Sequence, residues 1–391
     1  MTIHPFHDVA IVGVFNTRQA RRLDGHDSAS IALEAALGAV ADAGLTPYDI
    51  DGVTGTRGAT EDFIYQHRIG PVWWTSTDTG ILGLLDAASA IACGMATTVL
   101  VTSGTAGTYT DRAATAPWTR PTHEFVASFG MFTSAEFALV ARRHMEVYGT
   151  KPESLATVAA TIRNNGHVNP EAVYAGRGPF TPQDVLDSRM IADPYHLLDC
   201  AMTSEGGCAL VLTRADRAAD LAKRPVYILG GNTDHFGPSY KNPPAFDLDG
   251  RKDPRLVNGW VGRSAAQKSF AMCGLGPTDV DICEFYDPFS FEIIRQFEAF
   301  GFCGEGEGGD FVLGGTIEVG GRYPVTTDGG LMSYSHAGAV AQTLQRPARA
   351  VQQIRGECLS QQVPDVEVAL CSGGGAGALF TDVVLLGAGR P

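Results

Sequence analysis

Apolar and polar positions alternate along the chain in a way that predicts buried strands and alanine-rich amphipathic helices. "SIALEAALGAVADAG" has helical spacing and ends at a glycine, with a proline soon after, which are the expected stop signals. The overlapping stretch "AGLTPYDIDGV" (43–53) then runs into a short apolar strand. The same succession returns 230 residues later, where helical "RSAAQKSFAMCG" leads into "CGLGPTDVDIC" (273–283). A second pair is "VLVTSG" (99–104) and "VALCSG" (368–373), each a buried-strand run ending in small residues. Two pairs in the same order predict a duplicated α/β chain. Each half reads strand–helix–strand–helix–strand, giving parallel or mixed sheets covered by helices.

The first half carries an excursion before its last strand, "GGCALVLT" (206–213). Within it "SAEFALVARRHMEVYGT" and "PESLATVAATIRNNGHVNP" have helical patterns, the second with a Ser/Glu start signal and an Asn-Pro stop. "FTPQDVLDSRMIADP" follows, and the whole reads as a helical lid or loop region over about 108–205. "PVYILGG" (225–231) opens the second half, so the expected division is 1–224 and 225–391.

A chain of 391 residues, 44% hydrophobic and 18% charged, is large enough for two fused halves around a sizeable core. No apolar run follows a basic N-terminal segment, and none reaches the roughly 20 residues that span a bilayer. A soluble, cytoplasmic protein with no membrane span is the expectation. The net charge of −14 leaves no basic stripe for nucleic acid, although a few local arginines can still hold an anionic ligand. The eight cysteines form no CxxC pair and no close Cys/His set, which argues against a structural zinc. They are expected to be reduced and mostly small core residues, Cys93 among them. Many of the 47 glycines fall in short clusters, which suggest tight turns and close backbone approach. One cluster, "GGLMSYSHAG" (329–338), places His336 two residues after Tyr334, either as a catalytic group or as a turn histidine.

Taken together, these stretches resemble the thiolase superfamily, in the branch of sterol-carrier-protein thiolases and lipid-transfer proteins. The resemblance covers essentially the whole chain, including "DPYHLLDCAMTSEGGCALVL" (193–212) and four local positions. It implies a five-layer α-β-α-β-α fold built from two duplicated halves, with a helical loop domain inserted in the first. Thiolases carry a reactive cysteine at the start of a buried helix; in "WWTSTDTGILGLLDAASAIACG" Gly80 aligns that position with Thr77. A threonine hydroxyl without a dedicated base is a poor substitute for a thiolate. The Asn-Glu-Ala-Phe position of thiolases reads "YDPF", with Tyr286, Asp287 and Phe289 after the strand "VDICEF". The Gly-Gly-(five residues)-His motif is matched by Gly329, Gly330 and His336, followed by Ala337 where thiolases usually have proline. "CSGGGAG" (371–377) matches the C-terminal Cys-x-Gly-Gly-Gly motif, with Cys371 at the proton-moving position and Gly373 at the oxyanion-binding one.

What the resemblance implies is an oxyanion site without its nucleophile. Such a site suits retro-aldol cleavage of a β-hydroxyacyl-CoA, the reaction of the steroid side-chain aldolases that "YDPFSF" and "SYSH" resemble. Tyr286, or a relay with histidine, takes the hydroxyl proton. His336 and the Gly373 N–H bind the enolate oxygen, and Cys371 or Tyr334 returns a proton to the α-carbon. The thioester is the substrate and no further cofactor is implied. The resemblance also implies a homodimer core and a small OB-fold/zinc-ribbon partner. Acetyl-CoA acyltransfer and non-catalytic acyl-CoA or lipid carriage are the rival readings.

Overall fold

The computed structural model describes residues 4–107, 133–237, 261–375 and 379–391. The start of the expected lid (108–132) and the last two residues of "CSGGGAG" lie outside the described residues. In chain order the first half contributes β1 (Val9–Asn16), α1 (Ser28–Asp42), β2 (Gly52–Gly55), α2 (Arg57–His67), β3 (Trp73–Trp74), α3 (Gly80–Ala92) and β4 (Thr98–Thr105). Next come α4 (Thr133–Tyr148), α5 (Pro152–Val168), the small hairpin β5–β6 (Met190–Ala192, Tyr195–His196) and β7 (Gly206–Arg214). The remainder supplies β8 (Val226–His235), α6 (Arg263–Cys273), β9 (Ile282–Glu284), α7 (Ser290–Ala299), α8 (Ala339–Arg355), β10 (Val368–Gly375) and β11 (Phe380–Gly387).

Local chemistry sets several of these boundaries. Asp27 accepts the Ser30 N–H at 2.8 Å and the Ser30 hydroxyl accepts the Asp27 N–H at 3.1 Å, a reciprocal cap that starts α1. Helix α5 opens at Pro152, two residues ahead of the Ser154 signal, because proline is tolerated in a first turn whose N–H groups have no helical partner.

Nine strands pair in the order β3-β2-β4-β7-β1-β8-β11-β10-β9. Outward from the β1/β8 junction the two sides repeat each other. The pairs β1–β7 and β7–β4 are antiparallel and β4–β2 is parallel, as are β8–β11, β11–β10 and β10–β9 in turn. At that junction the sheet is continued by two residue pairs, Ala10↔Tyr227 and Ile11↔Val226. The repeated sequence stretches form matching elements, β2 with β9 and β4 with β10. The match extends to single hydrogen bonds. Asp51 accepts the Thr97 and Thr98 N–H groups at the start of β4, and Asp281 accepts those of Glu367 and Val368 at the start of β10.

Strand alternation shows where the layers lie. Val9, Ile11, Val99, Val101, Leu210 and Leu212 pack with Ile81 and Leu84 of α3, while Ala10, Val12, Leu100, Ala209 and Val211 pack with Ala35, Ala36 and Ala39 of α1. On the other side Ala369, Cys371, Val384 and Leu386 share the α3 core with Leu344 and Val351 of α8, while Leu370, Val383 and Leu385 join the outer core with Phe270 of α6 and Phe297 of α7. Helices α3 and α8 are therefore the middle of five layers. Fully burying a side chain such as Ile81 or Leu84 contributes about 1.5–3 kcal/mol.

The cysteines differ from expectation. Cys208, Cys283 and Cys371 are buried, Cys200, Cys273, Cys303 and Cys358 are half-buried, and Cys93 is exposed. Cys93 is the C-cap of α3, followed by Gly94 at φ 71° and the exposed Met95, so the helix ends at the surface rather than in the core. Among the described residues no helix is long and apolar enough to cross a membrane.

Candidate active site

The stretch carrying His336 is a one-turn π-helix, Gly330–Tyr334, entered through Gly329 (φ 103°) and Gly330 (φ 55°). A wide turn of this kind leaves N–H groups to be satisfied from outside. Asp328 accepts the Gly330 N–H at 2.8 Å, and the two oxygens of Asp287 accept those of Leu331 (2.9 Å) and Met332 (3.2 Å). Glycine is required at 330, since a Cβ there would lie 2.2 Å from Asp287 Oδ2 in a left-handed backbone. Asp287 thus stands directly against Gly330, with both oxygens engaged by the turn. Burial pushes its carboxyl up to about 7, against the pull of Arg346 and of its two N–H donors.

Arg346 of α8 reaches the same turn. Its guanidinium donates to Asp328 through two bonds, at 2.9 and 2.8 Å, and to Glu284 at 3.4 Å. All three side chains are essentially buried. Burial opposes the charge on Arg346, but Asp328 and Glu284 outweigh it and raise its pKa. Glu284 also accepts from the Thr327 N–H and hydroxyl, so the segment before the π-turn is fixed as well.

His336 leaves this turn held at both backbone and ring. Its N–H donates to Ser204 Oγ at 2.7 Å, and its Nδ1 lies 2.5 Å from the Met202 carbonyl oxygen. A carbonyl only accepts, so Nδ1 carries a proton and the tautomer is set. Met202 is itself tied to the turn, its N–H donating to the Leu331 carbonyl. The chain beside Tyr334 is pinned in the same way. The carbonyls of Ser333 and Tyr334 accept the Tyr174 and Val173 N–H groups, at 3.1 and 3.0 Å. Burial, then the nearby Asp328, raises the Tyr334 phenol well above its ordinary pKa, so at neutral pH it stays protonated.

Tyr286 follows β9 at its carboxyl end, a usual ligand-binding position in α/β sheets. Its N–H donates to Ser372 Oγ at 3.0 Å and its carbonyl accepts from Gln296 at 2.8 Å, which joins it to the residue after Cys371. Cys371 is buried in β10, where burial and then Glu284 raise its thiol well above the ordinary range. It is therefore an S–H donor at neutral pH, not a thiolate. Gly373, on the same face, has close neighbours: a Cβ would lie 3.1 Å from Thr343 Cγ2 and 3.5 Å from Ile81 Cδ1. Ala337, next to His336, shares the core cluster of Cys371, Ile81 and Val340.

At the start of α3, the Thr77 hydroxyl donates to the Thr79 carbonyl at 2.8 Å, and among the described residues no carboxylate or imidazole is bonded to it. Thr79, not Thr77, caps the helix. Sequence reasoning missed Met202, Ser204, Asp328 and Arg346. Only Asp328 had a signal, an acid directly before two glycines. Among the described residues no cluster of three or more His, Cys, Asp or Glu side chains is able to hold a metal ion.

The two repeated half-sheets around buried helices, with a glycine-turn histidine and a Cys-x-Gly-Gly-Gly strand, define a thiolase-like protein. Residues 251–388 match the family described as thiolase C-terminal domain-like. A steroid side-chain-cleaving aldolase from Thermomonospora curvata is 32% identical, over 97% of this chain and 98% of that one. The 17-hydroxy-3-oxo-4-pregnene-20-carboxyl-CoA lyase of Mycobacterium tuberculosis is 34% identical, over 93% and 96%. The solved structure of an Ltp2-ChsH2(DUF35) aldolase superposes with a TM-score of 0.83 at 29% identity, covering 98% of each chain. The chain belongs to the thiolase-like family, in the group that contains these side-chain-cleaving aldolases.

Proposed function

We propose that this chain is a carbon–carbon lyase that splits a β-hydroxyacyl-CoA by retro-aldol cleavage into a ketone and a shorter acyl-CoA, with no acyl-enzyme. The observation that carries the reading is the start of α3. The hydroxyl at the nucleophile position is Thr77, engaged with the Thr79 carbonyl, and the nearest cysteine in that helix is Cys93 at its far, exposed end. Covalent acyl transfer has no activated nucleophile there.

The remaining groups suit bond cleavage. Tyr286 meets the β-hydroxyl, hydrogen-bonding it or relaying its proton. The Cα–Cβ electrons pass to the thioester, and the enolate oxygen is met by His336 and the Gly373 N–H, donors worth several kcal/mol when pre-oriented. Cys371 or Tyr334, both protonated at neutral pH, supplies the α-carbon proton. Asp287 and Gly330 hold the turn that presents His336.

The name of the mycobacterial relative supports the substrate class. It places a hydroxyl on C17, the carbon bonded to C20, and C20 carries the thioester carboxyl. That arrangement is a β-hydroxyacyl-CoA, and a steroid side-chain thioester is the substrate we assign. A homodimer core works with a small OB-fold/zinc-ribbon partner that helps hold the CoA ester. The similar solved aldolase, which pairs Ltp2 with the DUF35 protein ChsH2, supports that partner.

Intact-protein mass spectrometry after acyl-CoA treatment tests the mechanism. The expected mass is unchanged, and a stoichiometric acyl adduct on Thr77 or Cys93 contradicts the lyase reading in favour of acyl transfer.

A further inference from the structure

One buried acid has no part in the site described so far. Asp382 of β11 is 2% exposed and is the cross-strand partner of Gly373 on one side and of Thr233 in β8 on the other. Side chains two apart on a strand share a face. Cys371 and Val384, opposite each other in the ladder, both face the α3–α8 layer, so Gly373 and Asp382 face it too. Asp382 is therefore the diagonal neighbour of Cys371 on that surface, at about the 7–8 Å typical of such pairs, close enough for one bound ligand to meet both. Both carboxylate oxygens are engaged by hydroxyl donors: Thr79 Oγ1 donates to Oδ2 at 2.5 Å and Thr233 Oγ1 to Oδ1 at 2.7 Å. Thr79 is the N-cap of α3, and the next residue, Gly80, donates its N–H to Thr343, the residue that crowds Gly373. The carboxylate, the candidate oxyanion glycine and the start of α3 thus converge on one patch.

Capping α3 alone does not call for the acid. Thr79 already accepts the Leu82 N–H as a cap, which a threonine does without a carboxylate behind it. A buried carboxyl is costly where a neutral side chain fills the same space. Burial raises its pKa, the two hydroxyls oppose that rise, His235 nearby lowers it and Asp86 of α3 raises it. What results is a carboxylate with a stronger hold on a proton than an exposed one, the property wanted in a general base.

We infer that Asp382 is the general base of this site, taking the β-hydroxyl proton, with Cys371 as its paired acid. The inference rests on the retro-aldol reading above and deepens it. An O–H bond forms on Asp382 as the substrate O–H breaks. The oxygen's electron pair becomes the ketone C=O, and the Cα–Cβ pair becomes the enolate. The Cys371 S–H then protonates Cα, and after product release Asp382 loses its proton to water and the thiolate regains one from water. No co-reactant is consumed. Tyr286, a phenol and a weak base by itself, orients the β-oxygen by hydrogen bonding.

The test uses the full chain, with its partner if activity needs one, and 17-hydroxy-3-oxo-4-pregnene-20-carboxyl-CoA as substrate. Asp382→Asn keeps an acceptor for Thr79 and the packing but removes the base. It should lower kcat by about 10²–10⁴-fold, leave KM within a few-fold, and abolish the acid limb of the kcat–pH profile. Thr79→Val and Thr233→Val keep the base but each removes a donor that favours the carboxylate, so the acid limb should move to higher pH. Wild-type kcat in Asp382→Asn with an unchanged profile overturns the inference. If that variant does not fold, an acid limb unmoved in both valine variants overturns it. Absence of cleavage by the wild-type protein overturns the retro-aldol reading itself, whereas cleavage that survives Asp382→Asn overturns only the base assignment.

Discussion

At the scale of single residues the site depends on which atom of each side chain is already committed. His336 donates its Nδ1 proton to the Met202 carbonyl, so in the proposed reaction Nε2 is the ring atom assigned to the enolate oxygen. His336→Ala should cost about 10²-fold or more in kcat, the usual loss for one oxyanion donor, with the melting temperature nearly unchanged. A variant that melts early yet keeps full activity per folded molecule makes His336 a packing residue. Tyr286 is fixed through its backbone, to Ser372 and Gln296, so losing its hydroxyl should leave the loop in place. Tyr286→Phe should therefore lower kcat strongly with little change in KM, the signature of an interaction made chiefly in the transition state. Wild-type kinetics in this variant take Tyr286 out of the mechanism and shift attention to Tyr334. The glycine and histidine spacing was legible in the sequence because close backbone approach demands specific residues at fixed intervals. The Met202 and Ser204 contacts were not, since they come from a segment some 130 positions away (the hydrogen-bonded pairs are 134 and 132 residues apart) and nothing local signals them.

At the scale of elements, the π-turn exists because three acids surround its approach and start, with one buried arginine between two of them. Arg346→Met would leave Asp328 and Glu284 buried without their shared cation. Breaking such a cluster from one side costs about 3–5 kcal/mol, which denaturant unfolding at neutral pH should register as a matching fall in stability. A change below about 1 kcal/mol, the range of exposed ion pairs, means the pair is not sequestered as described. Helix α8 also shows why this was not legible. Its stretch "AVAQTLQRPARAVQQIR" is so rich in Gln and Arg that pattern reading places those residues in water. In the fold Gln342, Gln345, Arg346, Arg349 and Gln353 are all buried, and much of their polarity is met by partners distant in sequence, such as Gln19, Thr327 and Asp328. The strands were easier. Each is a short apolar run between turn signals, and the Asp51 and Asp281 clamps sit inside the very stretches that repeat.

At the scale of the whole molecule, duplication provides the frame and divergence provides the site. The two half-sheets follow one pairing order around α3 and α8, yet the candidate groups gather mainly on second-half elements, with Met202 and Ser204 reaching in from the segment that precedes β7. In a thiolase the corresponding helix start of the first half supplies a thiol; here Thr77 stands there, and the site we propose is an oxyanion site flanked by protonated donors. The most direct measurement is product analysis by mass spectrometry after incubating the chain, with and without the proposed OB-fold/zinc-ribbon partner, with 17-hydroxy-3-oxo-4-pregnene-20-carboxyl-CoA. The predicted result is stoichiometric appearance of a C17 ketone and a three-carbon acyl-CoA, without free CoA as co-substrate. Acyl exchange that requires added CoA, or binding of the thioester with no carbon–carbon cleavage, contradicts it.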